Sequence, residues 1–299
     1  MKPIFVAGLV NVETSLKVDH FPVDYNPVEY PFYGITTCVS GVGLNIAKAL
    51  MTLGSEGDLA TIIGDDLNGV LVRRFLEDEG FHLNYAYISK DYPTSESVIL
   101  VDKTGKRKIY CDLKNLQDTN EFPGLDVDFS KYGIVVATNI NFNRGLMRKA
   151  KEQGCLIATD VQVLFGINDD FNQEFMENAD ILFMSNEAFV GHEGTFLKSV
   201  YERFHNSIIV CGCGDNGALC YLGDKDEYYF ESSVAPNGIA STVGAGDALF
   251  SAFLHFYNMG YNIPTCLKFA VTFAGIKVGV DGGSNGFVSE EELRKHVQW

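Results

Sequence analysis

The chain has 299 residues, 46% of them hydrophobic and 21% charged, which is long enough to bury a substantial core and ordinary for a soluble globular protein. A net charge of −16 argues against nucleic acid or an anionic membrane as a bulk partner, although a local pocket can oppose that field and hold an anionic small molecule. The seven cysteines are scattered and odd in number, which excludes a disulfide framework at this length; no apolar run is long enough to span a bilayer, and a cytoplasmic protein is expected.

The first apolar run is "IFVAGLV", which soon meets Asn11 and Glu13 and has no small-residue cleavage site. It reads as a buried first strand, not a signal peptide. Residues 14–39 break the pattern with prolines and alternating apolar and polar positions. Then strand-like and helical segments alternate. "DLATIIG", "GIVVATNI", "CLIATDV", "DILFMSN" and "SIIVCGCG" are short, continuous and rich in β-branched residues, as strands buried on both faces of a parallel sheet are. Helices are predicted over Asn45–Leu53, Gly69–Glu79, Asn143–Gln153 and Thr195–Arg203. Between the second and third of these helices, residues 96–112 read as a hairpin turning at Asp102–Gly105. Cys211 and Cys213 stand without a Cx2C or His cluster, so they read as small hydrophobes rather than metal or redox ligands.

Strand–helix–strand repetition predicts an α/β fold: a doubly wound, mostly parallel sheet sandwiched by helices. The strands from about 14–39 and 96–112 are expected to be antiparallel and to form a small lid over the sheet's C-terminal edge, where open α/β sheets bind ligands. Without repeats or a linker, residues 1–299 read as one domain. Lys106, Arg107 and Lys108 on the second lid segment read chiefly as a solvated hairpin face, with reach toward a substrate phosphate as the alternative.

The most informative stretch is "STVGAGDALFSAFLHF", Ser241–Phe256. Ala248, Leu249, Ala252, Phe253 and Phe256 recur at helical spacing, so a buried helix begins near Asp247. Gly244, Ala245 and Gly246 leave room for a ligand to approach backbone N–H groups at a helix start, where the dipole favours an anion. Asp247 has two readings: an N-cap, or a carboxylate beside a phosphate that accepts a proton from an attacking hydroxyl.

"TVGAGD" resembles the C-terminal signature of the ribokinase-like (PfkB) carbohydrate kinases. "SGVGLNIAKALMTLG", Ser40–Gly54, resembles that family's N-terminal signature, and "GDDLNG", Gly64–Gly69, and "CGDNG" follow in family order across nearly the whole chain. The resemblance implies transfer of the γ-phosphate of ATP, assisted by Mg²⁺, to a sugar, sugar phosphate or nucleoside. It implies Asp247 as general base and Gly244, Ala245 and Gly246 as the anion hole. Gly41, Gly43, Asn45 and Glu13 match substrate-contacting positions; Asn186, Gly214, Gly217 and Thr242 match the nucleotide side. No residue is assigned as a metal ligand. Glycine turns, a helix cap and an exposed strand-end glutamate are the structural alternatives.

Several positions depart from the pattern. Glu13 stands where an Asp usually grips substrate hydroxyls. Ser241 replaces an Asp that helps bind an activating monovalent cation, so K⁺ activation is not carried over. Val42 replaces a lysine, Gly212 a nucleotide-contacting Thr, and Phe189 the Glu of the motif that begins at Asn186. Asp160 resembles the Asp of an Asp-Pro-Asn segment, or is a loop residue after a strand. The expected acceptor is an unphosphorylated sugar or nucleoside, through a primary hydroxyl. A sugar phosphate is the alternative, as is a non-catalytic sensor with a kinase fold. Apolar Phe32, Tyr33 and Ile35 suit a homodimer through the lid. A dinucleotide-binding reading of "GVGLNIA" leaves "VGAGD" unexplained.

Overall fold

The computed structural model describes residues 2–297. The apolar runs form strands whose successive side chains enter opposite cores. In β1 (Ile4–Ala7), Ile4 and Val6 join one apolar cluster while Phe5 and Ala7 join the other, the period of two that a strand imposes. β2 (Asn11–Lys17) and β3 (Ile35–Ser40) leave the main sheet. α1 (Val42–Thr52), β4 (Gly57–Gly64), α2 (Leu67–Asp78) and β5 (Tyr85–Ser89) follow, then β6 (Glu96–Val101) and β7 (Arg107–Asp112). The second half alternates β8 (Ile134–Ala137), α3 (Asn143–Glu152), β9 (Leu156–Val163), α4 (Gln173–Asn178), β10 (Ile181–Ser185), α5 (Glu193–Phe204) and β11 (Ile208–Gly212). It ends with β12 (Gly217–Leu222), β13 (Glu227–Ser232), α6 (Ala245–Asn258), α7 (Ile263–Lys277) and α8 (Glu290–His296).

Nine strands form the large sheet in the order β13-β12-β11-β10-β9-β8-β1-β4-β5. Its pairings are parallel from β5 to β11 and antiparallel only at β11–β12–β13. Helices α1, α2, α6, α7 and α8 cover one face, and α3, α4 and α5 the other. This is the expected doubly wound sandwich.

The smaller sheet has the order β3-β2-β6-β7. Its two hairpin pairs are antiparallel, but β2 and β6 run parallel, which corrects the all-antiparallel expectation. Both strands leave the same edge of the main sheet, after the mutually parallel strands β1 and β5, so they set out in one direction. The turn at Asp102 is held by its own side chain, which accepts from Thr104 N (2.8 Å) and Lys106 N (3.0 Å). β2 begins at Asn11, earlier than predicted, so Glu13 lies inside the lid sheet opposite Cys38 and Ser97 rather than at the end of the first strand.

Two close approaches tie the lid to the main sheet. Gly43 N donates to Leu9 O (3.0 Å), and a Cβ on Gly43 would run into the backbone of Gly8, as one on Gly41 would into Leu9. Gly41 also has φ 115°, a conformation glycine adopts without steric cost. α1 packs against α6, and α6 against α7, where the Phe256 and Phe269 rings stack 3.8 Å apart.

Candidate active site

The start of α6 is built around Gly244. Its φ is 78°, and a Cβ there would collide with the Gly283 carbonyl, so this position demands glycine. The first i→i−4 bond of the helix is Ala248 N to Gly244 O (3.0 Å). The Gly246 and Asp247 N–H groups therefore precede the ladder, at the positive end of the helix dipole. Gly244 is the N-cap residue, without a side-chain bond, and Asp247 is the third residue of the helix. The N-cap reading of Asp247 is thus replaced by another geometry. Its Oδ2 accepts from Asn45 Nδ2 at 2.7 Å, and Asn45 Oδ1 in turn accepts from Ser40 Oγ at 3.4 Å.

Four acidic or basic groups share this buried place. Asp247 is 7% exposed, and burial pushes its carboxyl up to about 7, helped by the nearby Asp160 charge and opposed by the Asn45 bond and Lys277. Asp160 sits within β9, not after it. Burial pushes it up to about 6 against the pull of the Gln162 N–H, and a Cβ on Gly246 would lie 3.9 Å from its Oδ2. Burial also raises Glu13, offset by Ser40 and by the positive charges of Lys277 and Arg107. Lys277 is pulled down to about 8 by burial. A carboxylate poised near neutrality beside helix-start amides can take a proton while those amides hold a developing negative charge.

Most predicted residues converge here from three different segments: Asp247, Gly244, Ala245 and Gly246 at the start of α6, Asn45 in α1 and Glu13 in β2. Asn45 is no helix cap; it lies inside α1 with its amide turned toward Asp247. Gly41 and Gly43 serve the close backbone packing that brings β3 and α1 to the site. Because β3 belongs to the lid, the Gly41-Val-Gly43 turn does not follow the first strand of a βαβ unit, as a dinucleotide fingerprint requires.

The remaining residues line the same edge of the sheet further along. Thr242 Oγ1 accepts from Arg107 Nη1 at 2.8 Å, so the lid's basic cluster is not simply a solvated face. Lys108 instead lies over the Tyr110 ring. Asn186 follows β10, and its N–H bonds Gly212 O (3.0 Å). Phe189, at the motif's Glu position, stacks on Phe196 with centroids 4.0 Å apart. A carboxylate nevertheless reaches Asn186: Glu193 Oε1 accepts from Asn186 Nδ2 at 2.7 Å and from Gly191 N at 3.0 Å. Those bonds hold Glu193 below the usual range. Gly214 (φ 54°) and Gly217 (φ 116°) shape the β11–β12 turn, away from the Asp247 cluster in sequence and in their contacts.

Sequence reasoning missed three participants. In the sequence Ser40 stands out only as part of a signature. Glu193 lies outside the expected spacing. Lys277 had one available signal, a lone lysine in the apolar run "FAVTFAGIKVGV". Among the described residues no group of three or more His, Cys, Asp or Glu is arranged to hold a metal ion, and no helix is long and apolar enough to cross a membrane.

The chain belongs to the pfkB family of carbohydrate kinases, which it matches over residues 1–290. It is accordingly an ATP-dependent phosphotransferase with a hydroxyl group as acceptor. Acarbose 7(IV)-phosphotransferase of Actinoplanes sp. is 26% identical over 269 residues, covering 89% of this chain and 88% of that protein. The ATP-dependent ribose-1-phosphate kinase of Halopiger xanaduensis is 25% identical over 288 residues, 94% of each chain. Among solved structures, the microbiome-derived acarbose kinase Mak1 superposes with a TM-score of 0.85 at 22% identity, over 99% of both chains.

Proposed function

We propose that the protein phosphorylates a hydroxyl, most readily a primary one, of an unphosphorylated sugar or nucleoside. Asp247 takes the proton from the acceptor hydroxyl. The amides of the Gly244–Gly246 turn hold the charge on the transferred group. Glu13 and Asn45 orient the acceptor from the lid strand and from α1. Thr242, Gly214, Gly217 and the Asn186–Glu193 pair receive the nucleotide. Positioning and electrostatic stabilisation supply the rate enhancement, as phosphoryl transfer demands. Mg²⁺ bound with ATP would neutralise phosphate charge. Asp160 and the Asn186–Glu193 pair fit such an ion better than a closed protein cage would, since Mg²⁺ keeps water and phosphate ligands. Seven unpaired cysteines and ATP dependence fit a cytoplasmic reaction.

The observation that carries this reading is the buried Asp247 carboxylate, held by Asn45 in the first turn of α6. Relatives that act on acarbose and on ribose 1-phosphate support a carbohydrate acceptor. One contact favours a second reading: Arg107, bonded to Thr242 across the site, suits an acceptor that already carries phosphate. Tyr25, Phe32 and Tyr33, each more than four-fifths exposed, suit a lid-mediated homodimer; light scattering that shows only a monomer would remove that part.

The test is ADP release with Mg·ATP across pentoses, hexoses, oligosaccharides, nucleosides and sugar phosphates. Turnover on a neutral sugar or nucleoside is expected. Turnover confined to sugar phosphates, and lost in Arg107→Ala, would select the second reading. Ligand-induced thermal stabilisation without turnover on any acceptor would identify a sensor and reject the kinase mechanism.

A further inference from the structure

Among the described residues Lys277 is the one lysine whose side chain is fully buried, at 0% exposure. Such burial is rare without a partner, because an ammonium loses its hydration. Among the described residues Lys277 has no carboxylate within bonding distance. Its Nζ donates to Gly282 O at 2.7 Å and approaches Val280 O at 3.5 Å. The side chain projects from the last turn of α7 into the loop that follows, and the loop's carbonyls take the place of water around the charge.

That loop underlies the whole site. Gly283 abuts Gly244, and a Cβ on Gly283 would lie 2.8 Å from Ser40 Oγ and 3.1 Å from Asn45 Nδ2. Ser284 Oγ donates to Val39 O at 3.1 Å. Just upstream, Val278 O accepts from Ala240 N (2.7 Å) and Ser241 N (3.0 Å), the residues that lead into the glycine turn. Residues 278–284 thus brace the ends of β3, α1 and α6, which supply Ser40, Asn45, Asp247 and the anion-holding amides. The Lys277 charge also acts on Asp247 and Glu13 through space.

A positive charge caged by backbone carbonyls is what a bound monovalent cation provides. We propose that Lys277 is a positioning residue that acts as a tethered monovalent cation, fixing the 280–284 loop beneath the glycine turn so that the protein needs no free K⁺. The loop's carbonyls stay turned toward the ammonium, and their peptide planes hold Gly283 against Gly244. The positioning role in phosphoryl transfer rests on the kinase reading above; the cation's role in the loop does not.

The experiment therefore has two arms. In the first, melting temperatures of the wild type and Lys277→Met are compared in choline, K⁺, ammonium and methylammonium chlorides at matched ionic strength. The wild type should melt identically in all four. Lys277→Met should melt lower in choline and recover in the small cations, as a ligand that binds only the folded state requires. A variant soluble only when prepared in those cations counts as recovery. In the second arm, ADP release by Lys277→Met should fall on the order of a hundredfold in kcat with a nearly unchanged acceptor KM, and the small cations should restore it at least in part. A K⁺-specific rise in wild-type melting temperature or rate would overturn the proposal. So would a Lys277→Met protein that is indifferent to the cation, or insoluble in every salt. If no acceptor is found, the thermal arm alone decides, and its result is independent of the kinase reading.

Discussion

The proposed acceptor and nucleotide ends of the candidate site are built differently. At the acceptor end, Asp247, Asn45, Glu13 and Lys277 are all buried and linked by side-chain bonds or charge. At the proposed nucleotide end, the β11–β12 turn and Glu193 are nearer the surface, Asn186 alone being buried, and the turn rests on glycine conformations and backbone contacts. A buried end can set the ionisation of its groups, because desolvation and low dielectric magnify each neighbour. A surface turn can only shape and position. Two of the departures from the family pattern follow this division. At the nucleotide end Phe189 has become core and Glu193 supplies the carboxylate from another position. At the acceptor end the substitution of Glu for Asp at residue 13 keeps the charge.

The comparison can be broken by substitution at each end. The largest effect is expected from Gly244→Ala. A side chain there needs a positive φ and runs into Gly283, so stability should fall by about 1–3 kcal/mol and ADP release should be nearly lost; urea unfolding and turnover measure the two. Next comes Asn45→Ala. Removing the one bond that favours ionised Asp247 should lower kcat/KM about tenfold, near the scale of one hydrogen bond to a charged group. It should also move the acidic limb of the pH profile upward. The smallest effect belongs to the other end: Glu193→Gln, which keeps an acceptor for Asn186, should raise the KM for ATP a few-fold and leave the pH profile unchanged. Equal pH shifts from both substitutions would erase the distinction between the ends.

Stability should carry the same signature. The folded-state Asp247 lies near 7, above its ordinary value of 3.8. The native state thus holds a proton that the unfolded chain releases, and the contribution of this group is full below about pH 4 and lost as pH rises through about 7. Asp247→Asn should remove this dependence, seen as a smaller decline in melting temperature across that range, while abolishing turnover.

Much of the fold was legible because its strands are short apolar runs and its helices α1, α2, α3 and α5 have one apolar face. Several of the elements that were missed lack those signals. α7 is buried nearly all round, with Phe269, Ala270, Val271, Thr272 and Phe273 all inside, so it shows no amphipathic period. β13 is mostly exposed at the sheet's edge. β5 carries three tyrosine and alanine positions of intermediate burial, too polar to read as a core strand. At the site, Asp247 and the glycine turn were legible because their chemistry is local: small residues, a carboxylate and a helix start in six positions. Asn45's bond to Asp247 joins residues 202 positions apart, Arg107's bond to Thr242 spans 135, and no local pattern encodes either. Lys277 was hidden for the opposite reason. Its partners are a few residues away, but they are backbone carbonyls, which every residue has.

The most direct test of the buried-base account is the pH dependence of kcat/KM on an acceptor identified by ADP release. The account predicts an acidic limb governed by one ionisation near pH 7, displaced upward in Asn45→Ala. A wild-type rate that stays flat from weakly acidic to weakly alkaline pH would contradict it.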